Sequence, residues 1–266
     1  VSADDNMGTA GLTFSGGNLE AAGSFSTTKT ASMNAGGTIT VDPSHTMTMG
    51  GVVSGSGGSL TKAGTGSLAL IGSNTYSSGT VFGSGTVITN ADASTGTGAW
   101  TFNGGTLNAN ASYATAKEST LSSGATVDVD ATHTLTMSGT VSGSGAFTKS
   151  GLGALALSGS NTYSGGTTLS LGTLQVAADN NMGTAALTFS GGSLNATDSF
   201  TSAKAAVLSS AGTIEIDSTK TLTLSGVVSG AGSLVKASDG TLALSGTNTY
   251  SGVTTIQSGA LNTSAD

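Results

Sequence analysis

The chain has no cysteine and no arginine, a single proline (Pro43), a single tryptophan (Trp100), and charged side chains at only 8% of 266 positions. Each shortage excludes something. Without cysteine there are no disulfides and no thiolate metal sites, although this identifies no compartment. With 7 lysines against 14 carboxylates, the net charge of −7 leaves no basic stripe for nucleic acid or anionic lipid. No apolar run reaches the ~18 residues that a membrane-spanning helix needs, so no membrane insertion of this segment is expected. Val1 opens in mid-pattern, with no basic and apolar leader visible.

What is abundant is glycine, 43 residues, with serine, threonine and alanine filling much of the remainder. Such a composition could describe a flexible linker. The regular placement of Leu, Val and Ile argues instead for an ordered chain.

The order is periodic. Asn-Thr-Tyr occurs at Asn74–Tyr76, Asn161–Tyr163 and Asn248–Tyr250, two intervals of 87 residues. Lys62, Lys149 and Lys236 keep the same beat, and Lys29, Lys117 and Lys204 follow it once one inserted glycine near Gly58 is allowed. Self-similarity at fixed period is the mark of a stacked array. The chain reads as one solenoid segment, 1–266, of three repeats with approximate phases 5–91, 92–178 and 179–266. Val1–Gly8 aligns with Val176–Gly183, and Ala265-Asp266 with Ala178-Asp179. Matching phase at the two ends is expected of a piece from a longer array.

Within a repeat, short segments alternate apolar and polar residues. Thr213-Ile214-Glu215-Ile216, Thr221-Leu222-Thr223-Leu224, Ser233-Leu234-Val235-Lys236 and Thr241-Leu242-Ala243-Leu244 are bounded by Gly, Ser, Asn or Asp. Period-two alternation puts aliphatic side chains on one face of a strand and Thr, Ser or Lys on the other. Landmarks recur about every 20 residues, the size of one coil of a parallel β-helix. No 3.6-residue apolar periodicity occurs. The expectation is an all-β fold, a parallel β-helix of about twelve rungs, four per repeat.

Gly232–Thr255 contains Gly-Ser-Leu-Val-Lys, then Thr-Leu-Ala-Leu-Ser-Gly-Thr-Asn-Thr-Tyr-Ser-Gly. It resembles the autotransporter-associated β-strand repeat, also called the passenger-associated transport repeat. Gly57–Thr80 and Gly145–Thr168 resemble it too, the latter most closely through Asn161-Thr162-Tyr163-Ser164-Gly165-Gly166-Thr167-Thr168. The resemblance covers roughly a third of the chain. It implies a right-handed parallel β-helix in a large secreted or surface-displayed protein of type V secretion from Gram-negative bacteria, often an adhesin or surface fibre. The export signal and membrane barrel of an autotransporter are not within this sequence.

Candidate chemistry is sparse. His45 and His133 hold equivalent positions, and the third copy has Lys220 there. A catalytic or zinc-binding histidine is not interchangeable with lysine. These sites read as turns opened by an Asx-type bond from Asp42, Asp130 and Asp217, with an exposed tip. Asp128 with Asp130, and Glu215 with Asp217, project from one strand face, but the first copy has Thr40 with Asp42, so no calcium or other metal site is expected. No Gly-x-Ser-x-Gly elbow occurs, no copy stands apart as a glycosidase acid pair, and glycine clusters such as Gly55–Gly58 precede no helix. No enzyme activity and no cofactor are expected.

The site residues singled out are structural corners: Asn74, Tyr76, Asn161, Tyr163, Asn248 and Tyr250. The asparagine amides should bond turn backbone from inside, and the tyrosines should pack beside the corner with hydroxyls reaching water. Phe25, Tyr113 and Phe200 read as core or corner packing, and Trp100, whose counterparts are Leu12 and Leu187, as a local surface contact. The functional expectation is a stalk, fibre or adhesin shaft at the surface of a Gram-negative-type bacterium, with end-to-end self-association or a host or matrix surface as partner. The alternative is a lateral binding module for a glycan, a host surface or an ice-like face. Few aromatics weigh against sugar stacking, and Thr-x-Thr is not kept on every rung.

Overall fold

The computed structural model describes residues 1–263, which form 33 short strands and three 3-10 turns. Each strand is two to five residues long, because the alternating stretches are that short and turn-forming Gly, Ser, Asn or Asp follows many of them. Neighbouring coils pair in parallel with a register of about 20 residues, for example Thr80↔Trp100. Thr86–Thr89 shows the local logic: Val87 and Thr89 point inward, Thr86 and Ile88 outward. Stacking then puts Leu68, Val87, Leu107 and Val127 in register, all fully buried. Each such side chain contributes on the order of 1.5–3 kcal/mol by leaving water, and no single coil has a core without its neighbours. The expected parallel β-solenoid is what the structure shows.

Three stacked faces run the length of the rod. The first begins with Leu12–Phe14, Ala31–Met33 and Val53–Ser54. Asn74–Tyr76 takes the next place, Thr75 N donating to Val53 O (2.8 Å), and the 3-10 turn Asp92–Thr95 lies on that, Asn74 N donating to Ala93 O (3.0 Å). An eight-stranded stack from Tyr113–Thr115 to Thr254–Ile256 completes the face.

On the second face, seven strands from Asn18–Ala21 to Val141–Gly143 are followed by Asn161–Tyr163, the 3-10 turn Asp179–Met182 and four more strands. The third face starts on the 3-10 turn Asp4–Met7. It runs through eleven strands to Val228–Ser229 and finishes on Asn248–Tyr250. Every face therefore has thirteen places, and the rod has about 13 turns.

This sharpens the expected count of about twelve. A repeat holds eleven strands, one Asn-Thr-Tyr segment and one 3-10 turn, thirteen places in all, which is four turns and one place over. Each repeat consequently begins one face further round. Lys62 lies on the second face, Lys149 on the third and Lys236 on the first. At ~4.8 Å per turn the rod is roughly 60 Å long.

Corners are tight. A Cβ at Gly57 would lie 1.5 Å from Asn34 O, and at the equivalent Gly145 it would lie 1.6 Å from Ser123 O. The Asp-x-x-His/Lys turns differ from expectation. His45 N, His133 N and Lys220 N donate to the main-chain oxygens of Asp42, Asp130 and Asp217 (3.2, 3.1 and 3.0 Å). Ser44, Thr132 and Thr219 supply the reversal at φ of 63, 68 and 68°, so the aspartate side chains are not what closes the turn.

Candidate functional site: the Asn-Thr-Tyr joint and the lysines

The Asn-Thr-Tyr segment joins three successive turns. Asn74 Oδ1 accepts from Val53 N (2.7 Å) below, and Nδ2 donates to Ser94 O (2.6 Å) above. Asn161 repeats this with Val141 N (2.8 Å) and Asn181 O (2.6 Å). The expected inside-bonding of these asparagines is therefore what the structure shows in both copies.

The tyrosines differ from expectation. Tyr76 and Tyr163 are fully buried, and their hydroxyls do not reach water. Tyr76 Oη lies 2.6 Å from Thr80 Oγ1, which donates to Thr95 O (3.1 Å). Tyr163 and Thr167 (2.6 Å) repeat the relay to Met182 O (3.0 Å). Because the threonine proton goes to the carbonyl, the tyrosine donates. Burial raises both phenols far above their ordinary value, the bond to threonine partly opposing it.

Lys62, Lys149 and Lys236 also correct the sequence reading, which placed strand lysines outside. All three are buried in the lumen. Lys62 Nζ donates to the oxygens of Ala63 (2.6 Å), Gly64 (2.7 Å) and Ser84 (3.1 Å). Lys149 takes Ser150, Gly151 and Leu171 (2.5, 2.8 and 3.3 Å), and Lys236 takes Ala237, Ser238 and Ser258 (2.7, 2.7 and 3.2 Å). Three ammonium protons thus meet three carbonyls, two on the following corner and one a turn further on. Burial pushes Lys62 and Lys149 down to about 8 and lowers Lys236, with Asp128 and Asp239 opposing at the latter two. The signal was present: Leu60 and Lys62 share one phase of the alternation.

The other lysine series sits at the rim. Lys29, Lys117 and Lys204 pair with Asp4 (2.7 Å), Asp92 and Asp179 (2.6 Å), the first residue of each 3-10 turn. They also donate to those residues' main-chain oxygens. The Lys29 bond holds the Asp4 carboxyl below the usual carboxylate range. Beside the pairs lie two equivalent open clefts of about 400 and 360 Å³, one lined by Asp179, Gly183, Thr184 and Lys204, the other by Asp92, Gly96, Thr97 and Lys117.

The remaining candidates scatter. Asn108 Nδ2 bridges Asp128 (3.0 Å) and Asp130 (2.8 Å), and burial raises Glu215. Among the described residues no three His, Cys, Asp or Glu side chains converge as metal ligands. Trp100 is no surface contact: it is fully buried, donates Nε1 to Thr95 Oγ1 (2.9 Å), and meets Phe82 and Phe102 edge-on. Its phase-mate Phe102 was the clue. Phe25, Tyr113 and Phe200 are part-buried against the core, as expected.

The chain is thus a parallel β-solenoid whose repeated fixtures are backbone clamps. Residues 60–88, 147–176 and 234–262 match the family model of the passenger-associated-transport-repeat, so this repeat occurs three times. Each matched stretch begins on the strand of the interior lysine and contains the Asn-Thr-Tyr joint. No curated protein and no solved structure matches the chain.

Proposed function

We propose that this chain is a non-enzymatic shaft segment of a bacterial surface protein, an autotransporter passenger-like stalk, fibre or adhesin stem outside a Gram-negative-type cell. The observation that carries the reading is that the invariant features of the repeat are spent on holding turns together. Asn74, Tyr76 and Lys62 direct their polar atoms at backbone or at buried Thr80, leaving none for a ligand. What such a repeat supplies is length, stiffness and display.

The one-face rotation per repeat weighs against an ice-like or other flat lateral site. Equivalent strands fall on different faces, so the paired Thr-x-Thr pattern is not kept from rung to rung. What runs on is a single outward column, Thr86, Thr106, Thr126, Thr148, Thr168 and Thr188, over six turns of the third face. The test is immunolabelling of intact cells producing the parent protein, with electron microscopy of the labelled material. Label on extended projections of unlysed cells is the expected result. Label confined to lysed cells would overturn the proposal.

A further inference from the structure

Four exposed aliphatic side chains share one edge of the rod, where the third face turns into the first. Leu152 (69% exposed) follows strand Phe147–Ser150, and Leu171 (48%) follows Thr167–Leu169, the next strand of the stack. The two are neighbours at the corner tip, where a Cβ at Gly172 would lie 2.9 Å from Leu152 C. Val52 (40%) follows Thr46–Met49 and Ile71 (47%) follows Ser67–Leu70, again adjacent strands. Between these two the corner is glycine, Gly50, Gly51 and Gly72, and Ile71 Cδ1 leans to within 3.8 Å of where a Gly50 Cβ would stand. One place is therefore a pair of apolar tips, and the other is a glycine notch with aliphatic walls.

The fold itself does not need these side chains. Leu152 corresponds to Thr65 and Asp239 in the other copies, Leu171 to Ser84 and Ser258, and Ile71 to Ser158 and Ser245. Val52 corresponds to Thr140 and to Val227, which is exposed but has Ser245 a turn on and so stands alone. Single exposed aliphatics are ordinary on a protein surface, whereas two pairs on one edge mark a contact. Their spacing indicates the partner. From Thr46–Met49 to Phe147–Ser150 is five places along the third face, and from Ser67–Leu70 to Thr167–Leu169 is five again, ~24 Å each. A two-fold axis through the midway corner, Asn110–Ser112, exchanges notch and tips, bringing Val52 to Leu171 and Ile71 to Leu152. The corners between them carry Asn90, Asn110, Asp130 and His133, and Asp130 is already held by Asn108 Nδ2 (2.8 Å), so no run of like charge opposes a second copy.

We propose that two copies of this chain pair side by side and antiparallel along this edge, Leu152 and Leu171 of each seating over Gly50 and Gly51 of the other, between Val52 and Ile71. A contact of this isologous kind closes at two copies. It runs along a narrow corner for ~29 Å, six steps of ~4.8 Å, so it belongs with small reversible interfaces rather than obligate ones. The pairing lies on the flank of the rod, uses neither end, and stands apart from the surface-shaft reading and its immunolabelling test.

Sedimentation velocity across a concentration series tests this, with substitutions that other copies of the repeat already carry, so the turns stay folded. The parent chain should show a monomer–dimer equilibrium that tightens with added salt, because two chains of net charge −7 meet through apolar groups. Leu152→Thr with Leu171→Ser, or Val52→Thr with Ile71→Ser, should weaken it roughly a hundredfold, since either pair spoils both contacts. An equimolar mixture of the two variants regains one contact and should dimerise about tenfold more weakly than the parent. The geometry is read separately by cysteine, which the chain lacks. Asn110→Cys, beside the two-fold axis, should give a disulfide-linked dimer on mild oxidation, and Thr188→Cys, four turns along, should not. A parent chain that stays monomeric overturns the proposal, and pelleting of that monomer with phosphatidylcholine vesicles would assign the leucines to a lipid surface instead. Association that neither pair of substitutions weakens, or cross-linking no faster at position 110 than at 188, overturns it as well.

Discussion

Two lysine series run through the chain at the repeat spacing, and the fold treats them in opposite ways. Lys62, Lys149 and Lys236 lie in the lumen and answer only to carbonyl oxygens, whereas Lys29, Lys117 and Lys204 lie at the rim and answer to aspartates. The difference comes from strand phase. An inward lysine cannot reach water, so its three protons must be matched by neutral acceptors that the corner already exposes. A rim lysine keeps some solvent and pairs with a carboxylate that is itself 35–46% exposed, so much of its attraction is screened. The same residue type is therefore a turn clamp in one place and a modest surface tie in the other.

That contrast sets the order of expected effects. Lys149→Ala should be the most damaging, leaving three buried carbonyls without donors and a void in the lumen, a loss on the order of 3–5 kcal/mol by chemical denaturation. Lys149→Met, which keeps the stem, should recover part of that. Asn161→Ala groups with the interior series, since it strands Val141 N and Asn181 O, and should cost roughly 2–4 kcal/mol. If Asn161→Ala proved as mild as a rim substitution, the joint would not be a fastening.

A pH series sharpens the comparison next. The folded-state values of Lys62 and Lys149 are depressed to about 8 from 10.5, so between these values the unfolded chain binds more protons than the folded one. Stability should therefore rise as pH climbs from about 8 towards 10, by about 1 kcal/mol per interior lysine. Melting temperatures should follow, and a Lys62→Met, Lys149→Met chain should lose most of the rise, Lys236 keeping the rest. Lys204→Ala should show the smallest change, about 0–1 kcal/mol, and fading with added salt.

Much of this architecture was legible beforehand. Alternation in stretches such as Thr221–Leu224, together with a 20-residue landmark spacing, is enough for a parallel solenoid, and the repeated asparagine pointed to inside corner bonds. The rotation of each repeat was hidden because Asn74–Tyr76 and Asp92–Thr95 do not look like strands, yet each occupies a full place on a face. The interior lysines and buried tyrosine hydroxyls escaped for a related reason. Residue type argues for the surface, and only the position of Lys62 in phase with Leu60, or of Thr80 four residues after Tyr76, argues otherwise. Trp100 was misplaced by comparison with Leu12 and Leu187, when its own strand-mate Phe102 marked the inward phase.

The one-face advance per repeat is the claim on which the shape of the shaft depends, and a single distance tests it. Because the chain has no cysteine, Thr61→Cys with Thr148→Cys gives a clean pair of spin-label sites at equivalent outward positions of adjacent repeats. Pulsed electron resonance should return about 30 Å, combining ~21 Å of axial rise with a crossing to the next face and outward label arms. A distance of about 19 Å, four turns along one line, would contradict the account.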